Sequence, residues 1–178
     1  MAEEKKDNWT TFVALSTAVM AVLAALTTLY MGKFSSRTIL FQAQESDQWN
    51  FYQAKSIKGH TFEMQKQMVE LEYLTNKARL SPELSAKYKK VLEGYDASIK
   101  RYDDEKKEIK SKADGLEKAK ELSQTRAGKF SFGLIFLQIA IMVSSIAVIS
   151  RRKMLWVVGL VSALIGVAYF FDGFYLIF

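Results

Sequence analysis

The sequence predicts an all-α membrane protein: three transmembrane helices, with a long antiparallel coiled-coil hairpin inserted between the first and second. Three observations carry this reading. Apolar stretches almost free of charge occupy both ends of the 178-residue chain. The middle, residues 33–129, holds 20 of the 25 basic and 15 of the 19 acidic side chains. That middle also contains the only proline, and apolar residues recur along it every seven positions. A single soluble core would mix these populations. The mean hydropathy of −0.01 is therefore an average over two opposite kinds of segment.

After an N-terminal tail (residues 1–8) carrying Lys5 and Lys6, residues 9–32 form the first apolar stretch. A helix needs about 20 apolar residues to cross about 30 Å of hydrocarbon, and this stretch suffices. It is longer than the apolar core of a signal peptide and lacks a following cleavage pattern, so an uncleaved signal-anchor is expected. Ala14, Ala18, Ala21, Ala25, Thr28 and Gly32 follow a 4-3-4-3-4 spacing and share one helix face. Small residues there let a neighbouring backbone approach closely.

Residues 33–129 are expected to fold as a helical hairpin with its tip near 80–83. Ser81-Pro82-Glu83 combines an N-cap residue, a proline suited to the first helical position and an early acid that favours the helix dipole. The two arms, 37–80 and 83–125, are nearly equal in length, and at 1.5 Å per residue each would extend about 65 Å. In the returning arm Tyr88, Tyr95, Tyr102, Ile109 and Leu116 recur every seven residues, with Leu84, Val91, Leu92, Ile99, Ala113 and Ala119 between them. In the outgoing arm Ala54, Ile57, Thr61, Met64, Met68, Leu71 and Thr75 keep a 3-4 spacing. Sustained repeats of this kind indicate a left-handed coiled coil whose core contains these residues. Closer to the membrane the stripe moves to Gln42, Glu45, Trp49, Tyr52, Ser56 and Gly59, as at a stutter or a second interface. The tyrosine ladder reads as coil core, because tyrosine brings large apolar area and needs a single hydrogen-bond partner.

The second apolar stretch is too long for one crossing and is interrupted by Arg151-Arg152-Lys153. It divides into transmembrane helix 2 (130–150), a short basic loop (151–153) and transmembrane helix 3 (154–178) with an aromatic C-terminal end. Gly159, Ala163 and Gly166 give the last helix its own small-residue face. Gln138 reads as interhelical glue, and Asp172, among Tyr169, Phe170, Phe171, Phe174, Tyr175 and Phe178, as an interfacial anchor. Short basic loops stay in the cytoplasm, so Arg151, Arg152 and Lys153 place the N-terminus inside and the hairpin outside. Lys33, Arg37, Arg126 and Lys129 pull the other way and suit anionic headgroups.

Little in the chain suggests catalysis. There is no Cys, and His60 is the only histidine, so neither a thiolate nucleophile nor a histidine-based triad or metal cluster can be assembled. No glycine-rich phosphate loop occurs. Acids alternate with Lys and Arg, as in Asp103-Asp104-Glu105-Lys106-Lys107-Glu108, which is the pattern of solvated helix flanks. Neither cofactor nor metal is expected. The net charge of +6 divides into +5 on 33–129 and +1 elsewhere, and no basic stripe or recognition motif points to nucleic acid.

The opening Trp9-Thr10-Thr11-Phe12-Val13-Ala14-Leu15, the segment Gly32-Lys33-Phe34-Ser35 and the run Ala-Gln-Glu-Ser-Asp-Gln-Trp-Asn-Phe-Tyr-Gln-Ala-Lys-Ser-Ile-Lys over 43–58 resemble a bacterial family described as domain of unknown function 4337. The order of segments resembles it too. The resemblance implies a bacterial membrane location and carries no activity or catalytic residue; the inner membrane is the expected one. It singles out Asp47, Gln48, Trp49, Tyr52, Gln53 and Lys55 as a candidate interface, either with the returning arm near 116–126 or with a partner. The expected function is a non-enzymatic, multi-pass scaffold or accessory subunit, self-associating through the first membrane helix and the arm. Two alternatives stand beside it. One is a pore or transport component formed between subunits, lined by Ser16, Thr17, Thr27, Thr28, Gln138, Ser144, Ser145 and Asp172. The other is a tether whose arm binds another envelope protein. The expected partners are thus the lipid bilayer, further copies of the chain and an unidentified protein.

Overall fold

The computed structural model describes residues 8–177; the tail residues 1–7 and Phe178 lie outside that range. The described residues form three helices, two of them very long: α1 (Asn8–Asn76), α2 (Pro82–Ser150) and α3 (Lys153–Tyr175). One 3₁₀ turn, Lys77–Arg79, follows α1, and no strand occurs among the described residues. The three helices are long and apolar enough to cross a membrane. Neither long helix breaks at 32/33 or 129/130, because no proline or glycine pair interrupts the ladder there.

Local signals account for the ends. Ser81 caps α2: its Oγ accepts the Leu84 N–H at 3.3 Å and its carbonyl accepts the Ser85 N–H at 3.0 Å. Between α2 and α3 the chain reverses at Arg151, which takes a left-handed conformation with φ 50°. A second left-handed residue, Leu176 (φ 52°), ends α3, and its N–H bonds the Asp172 carbonyl at 2.7 Å.

The helices contribute to two compact units. The first contains the described residues of Met1–Leu40 with those of Ala119–Phe178, and the second is Phe41–Lys118. In the first unit α2 and α3 pack closely and antiparallel on glycine. A Cβ added at Gly166 would lie 2.9 Å from Leu137 Cγ and 3.0 Å from the Gly133 carbonyl oxygen. At Gly159 it would lie 2.6 Å from Ser144 Oγ, and at Gly173 2.8 Å from the Phe130 ring. Gly159, Gly166 and Gly173 thus form a seven-residue repeat along the contact. Ser162 adds a cross-helix bond, its Oγ donating to the Phe136 carbonyl at 2.8 Å.

Helix α1 packs on this pair with side chains of mixed size. Val13, Met20, Ala24, Thr27 and Phe34 are its buried positions, and Met20 meets Ala140 and Ala163. The small-residue face behaves otherwise than expected: Ala14, Ala18, Ala21, Ala25, Thr28 and Gly32 are all exposed. The reason is steric. The glycine contact draws α2 and α3 together, and Val13, Met20 and Phe34 supply the bulk that fills the furrow beside them, with the smaller Ala24 and Thr27 between. The expected small face of α3 is inward, with Gly159, Ala163 and Gly166 buried.

In the second unit α1 and α2 lie antiparallel. Phe62 stacks on Tyr102 at 5.6 Å and touches Tyr95 at 6.0 Å, while Tyr73 meets Tyr88 at 5.6 Å. Gly59 admits Tyr102, whose Cβ stands 3.7 Å from where a glycine Cβ would be. On α2, Tyr102 and Ala113 are buried, Tyr88, Tyr95, Ile109 and Leu116 are half-buried, and Leu84 and Val91 are exposed. On α1 the structure corrects the expected core. Ile57, Met64, Met68 and Leu71 are 63–70% exposed, and Ala54, Thr61 and Thr75 also face outward. The inward face runs through Tyr52, Lys55, Gly59, Phe62, Lys66 and Tyr73 instead. The stripe proposed to stop at Gly59 therefore continues along the helix. Two features of α2 select this face. Its tyrosines need a planar or missing neighbour, which Phe62 and Gly59 supply. Its acids need cations, which the methionine face lacks: Lys66 reaches Asp96 at 2.7 Å and Lys55 reaches Glu105 at 2.6 Å.

Candidate functional site

The most deeply buried charge lies at one end of the first unit. Asp172 on α3 is 1% exposed, and its Oδ2 is 2.9 Å from the Lys129 ammonium on α2. Its Oδ1 accepts the Ile177 N–H at 2.6 Å, so one carboxylate both pairs with α2 and closes the end of α3. Aromatic rings surround this level. Phe130 is fully buried among Tyr30, Phe34, Phe170 and Phe174, with ring centroids 5.0–5.7 Å away. The Lys129 ammonium also stands 6.0 Å from the Tyr169 ring centre. Asp172, read from the sequence as an interfacial anchor, is turned into the protein, where α2 brings Lys129 onto it. Arg126 is likewise turned inward, its guanidinium 5.4 Å from the Phe34 ring.

The flank of α1 against α2 is a shallow trough of about 420 Å³ lined by small side chains, among them Ala14, Thr17, Ala18, Ala21, Ser144 and Ser145. Its other flank, against α3, is lined by large apolar ones. The hydroxyls that a conduction path would use are mostly bonded to their own helices. Thr17 donates to the Val13 carbonyl at 2.8 Å, Thr27 to Leu23 at 2.7 Å, Thr28 to Ala24 at 2.9 Å and Ser145 to Ile141 at 2.9 Å. Gln138 is exposed.

Of the candidate interface in the second unit, Asp47 and Gln53 are exposed and Gln48, Trp49, Tyr52 and Lys55 half-buried. Trp49 and Tyr52 pack edge to face at 5.6 Å, and Lys55 is held by Glu105. Electrostatics along this unit is that of paired surface charges. The Lys106 ammonium, bonded to Asp103, holds that carboxyl below its ordinary 3.8, and Lys112 likewise lowers Glu108. Asp96 and Glu70 together raise Lys66. His60 pairs with Glu63 at 2.9 Å on the exposed side. Among the described residues no three His, Cys, Asp or Glu side chains are grouped to hold a metal. Arg151, Arg152 and Lys153 are all exposed at the α2–α3 turn.

Compared with known proteins, a family model described as Domain of unknown function (DUF4337) matches residues 9–176, almost the entire chain. The chain belongs to this family. No curated protein and no solved structure matches it. The matched span covers α1, α2 and α3, so the glycine repeat, the Lys129–Asp172 pair and the exposed face of α1 all lie inside the family domain. Sequence reasoning missed Lys129 as the partner of Asp172 and missed Gly133 and Gly173. The glycines carried a signal, since 159, 166 and 173 share a period of seven. The ion pair carried none, because its members are far apart in the chain.

Proposed function

We infer that this DUF4337 protein is a non-enzymatic, multi-pass membrane protein that self-associates through α1 and serves as a scaffold or accessory subunit. One observation carries the reading: the internal packing consumes the small-residue face of α3 and leaves that of α1 exposed. Helices in lipid associate where small residues permit close approach, so the Ala14, Ala18, Ala21 and Ala25 trough suits a helix of another copy. The exposed Ile57, Met64, Met68 and Leu71 stripe offers the arm, read as a coiled coil, a second apolar face for the same purpose. The basic turn at Arg151-Arg152-Lys153 favours an inner-membrane topology with a cytoplasmic N-terminus and an extracytoplasmic arm.

The test is native mass measurement of the intact chain in mild detergent, for the natural sequence and for Ala18→Leu with Ala21→Leu. Multiples of 20.3 kDa that collapse to one copy in the variant support the reading. A lone 20.3 kDa species from the natural sequence overturns it. A reporter fused at Leu80 reads the side of the membrane independently.

A further inference from the structure

The α3 flank of α1 differs in kind from the alanine trough. Its walls are large and apolar, with Phe12, Leu15 and Val19 from α1 facing Trp156, Leu160 and Leu164 from α3 around about 510 Å³. Phe12, Leu15, Val19 and Leu164 are more than half exposed. The groove's one polar side chain is already engaged: Ser16 Oγ donates to the Val13 carbonyl at 2.9 Å and accepts the Trp156 Nε1–H at 3.2 Å. A peptide segment would find no partner for its backbone there. Bulky walls also keep another helix at a distance, whereas a flexible hydrocarbon chain fits between them.

Trp156 lies one helical turn from Lys153, so the groove begins beside the basic turn. Arg151, Arg152 and Lys153 are exposed there, and none has an acidic partner among the described residues. Residues 8–23 and 140–160 contain no Asp or Glu, and Glu3, Glu4 and Asp7, interspersed with Lys5 and Lys6, precede them in the chain. We propose that this face binds an anionic glycerophospholipid, its phosphate held at Arg151, Arg152 and Lys153 and one acyl chain lying between α1 and α3. Juxtamembrane cations gain from anionic headgroups, so preference among lipids comes from the basic turn while the groove seats one acyl chain beside it. This rests on the reading that the chain spans a membrane.

The experiment first extracts membranes carrying the full chain with alkaline carbonate, then titrates detergent-purified protein with a phosphatidylglycerol or a phosphatidylcholine while counting bound lipids by native mass measurement. Release by carbonate removes the membrane reading itself. With the protein retained, the expected result is phosphatidylglycerol bound about tenfold more tightly than phosphatidylcholine. Arg151→Gln/Arg152→Gln/Lys153→Gln brings the two lipids to within about twofold, and Arg151→Lys/Arg152→Lys keeps the preference, since the attraction is to charge. Val19→Trp, which fills the groove at an exposed position, lowers retention of both lipids. Equal binding of the two lipids by the natural protein overturns the proposal. So does a Val19→Trp protein that loses its oligomer while binding phosphatidylglycerol unchanged, because a second copy would then cover this face.

Discussion

The Lys129 ammonium on α2 stands 2.9 Å from the carboxylate of Asp172 on α3, whose side chain is completely buried. Removing one member leaves the other charge without its counterion in a site closed by Phe130 and its ring neighbours. Lys129→Met should therefore lower the stability of the detergent-solubilised protein by about 3 kcal/mol. The double variant Lys129→Met/Asp172→Leu should recover most of that loss, because it buries no charge. Thermal unfolding followed by helical circular dichroism compares the two; a double variant as unstable as the single one contradicts the assignment.

Glycines in this chain divide into two groups with opposite predicted signs. At Gly159 a methyl group would meet Ser144 Oγ at 2.6 Å, so Gly159→Ala should destabilise by about 1–3 kcal/mol. Gly94 is exposed in mid-helix with nothing within 4 Å of an added Cβ, so Gly94→Ala should stabilise by about 0.5–1 kcal/mol. Unfolding midpoints of the two variants should move in opposite directions.

The two faces of α1 in the second unit should also respond differently. Phe62→Ala removes the ring that stacks on Tyr102 and leans at a tilt against Tyr95, and should cost about 2–3 kcal/mol, less than a fully buried phenylalanine because Phe62 is only half-buried. Met64→Gln with Met68→Gln, on the exposed face, should change the unfolding of one copy by no more than about 0.5 kcal/mol. If that face joins copies, the same double variant lowers the oligomer's resistance to dilution, which light scattering measures.

Acid should loosen the second unit modestly. Lys106 and Lys112 depress the carboxyls of Asp103 and Glu108, so each contributes stability above its unfolded value that fades as pH falls through the lower folded value. The window therefore lies below about pH 4.5, and because these groups are at the surface, salt should shrink the effect. Lys66 acts at the opposite end. Its raised value makes its contribution complete below 10.5 and lost as pH rises through the folded value. Hydrogen exchange across 41–118 at pH 6 and pH 3, with and without added salt, measures the acid limb.

How far the chain could be read in advance differs from face to face. Composition and period suffice for properties that each segment carries alone. Charge segregation marks the three apolar helices, Ser81-Pro82 marks the start of α2, and the tyrosine repeat marks the side of α2 that faces inward. These signals are local, because propensity, capping and hydrophobic spacing act within a few turns.

Partner choice is not local. Helix α1 offers an alanine face and a larger-residue face in the first unit, and a methionine face and a mixed aromatic–lysine face in the second, all with helical spacing. Periodicity reveals that stripes exist and cannot rank them. The furrow left by the glycine-drawn α2–α3 pair chose Val13, Met20 and Phe34, and the tyrosines and acids of α2 chose Gly59, Phe62, Lys55 and Lys66. The fold likewise gave Asp172 a buried partner in Lys129, which the sequence did not pair with it. Each outcome depends on the shape and charge of a surface elsewhere in the chain, and such a surface exists only once the helices have packed.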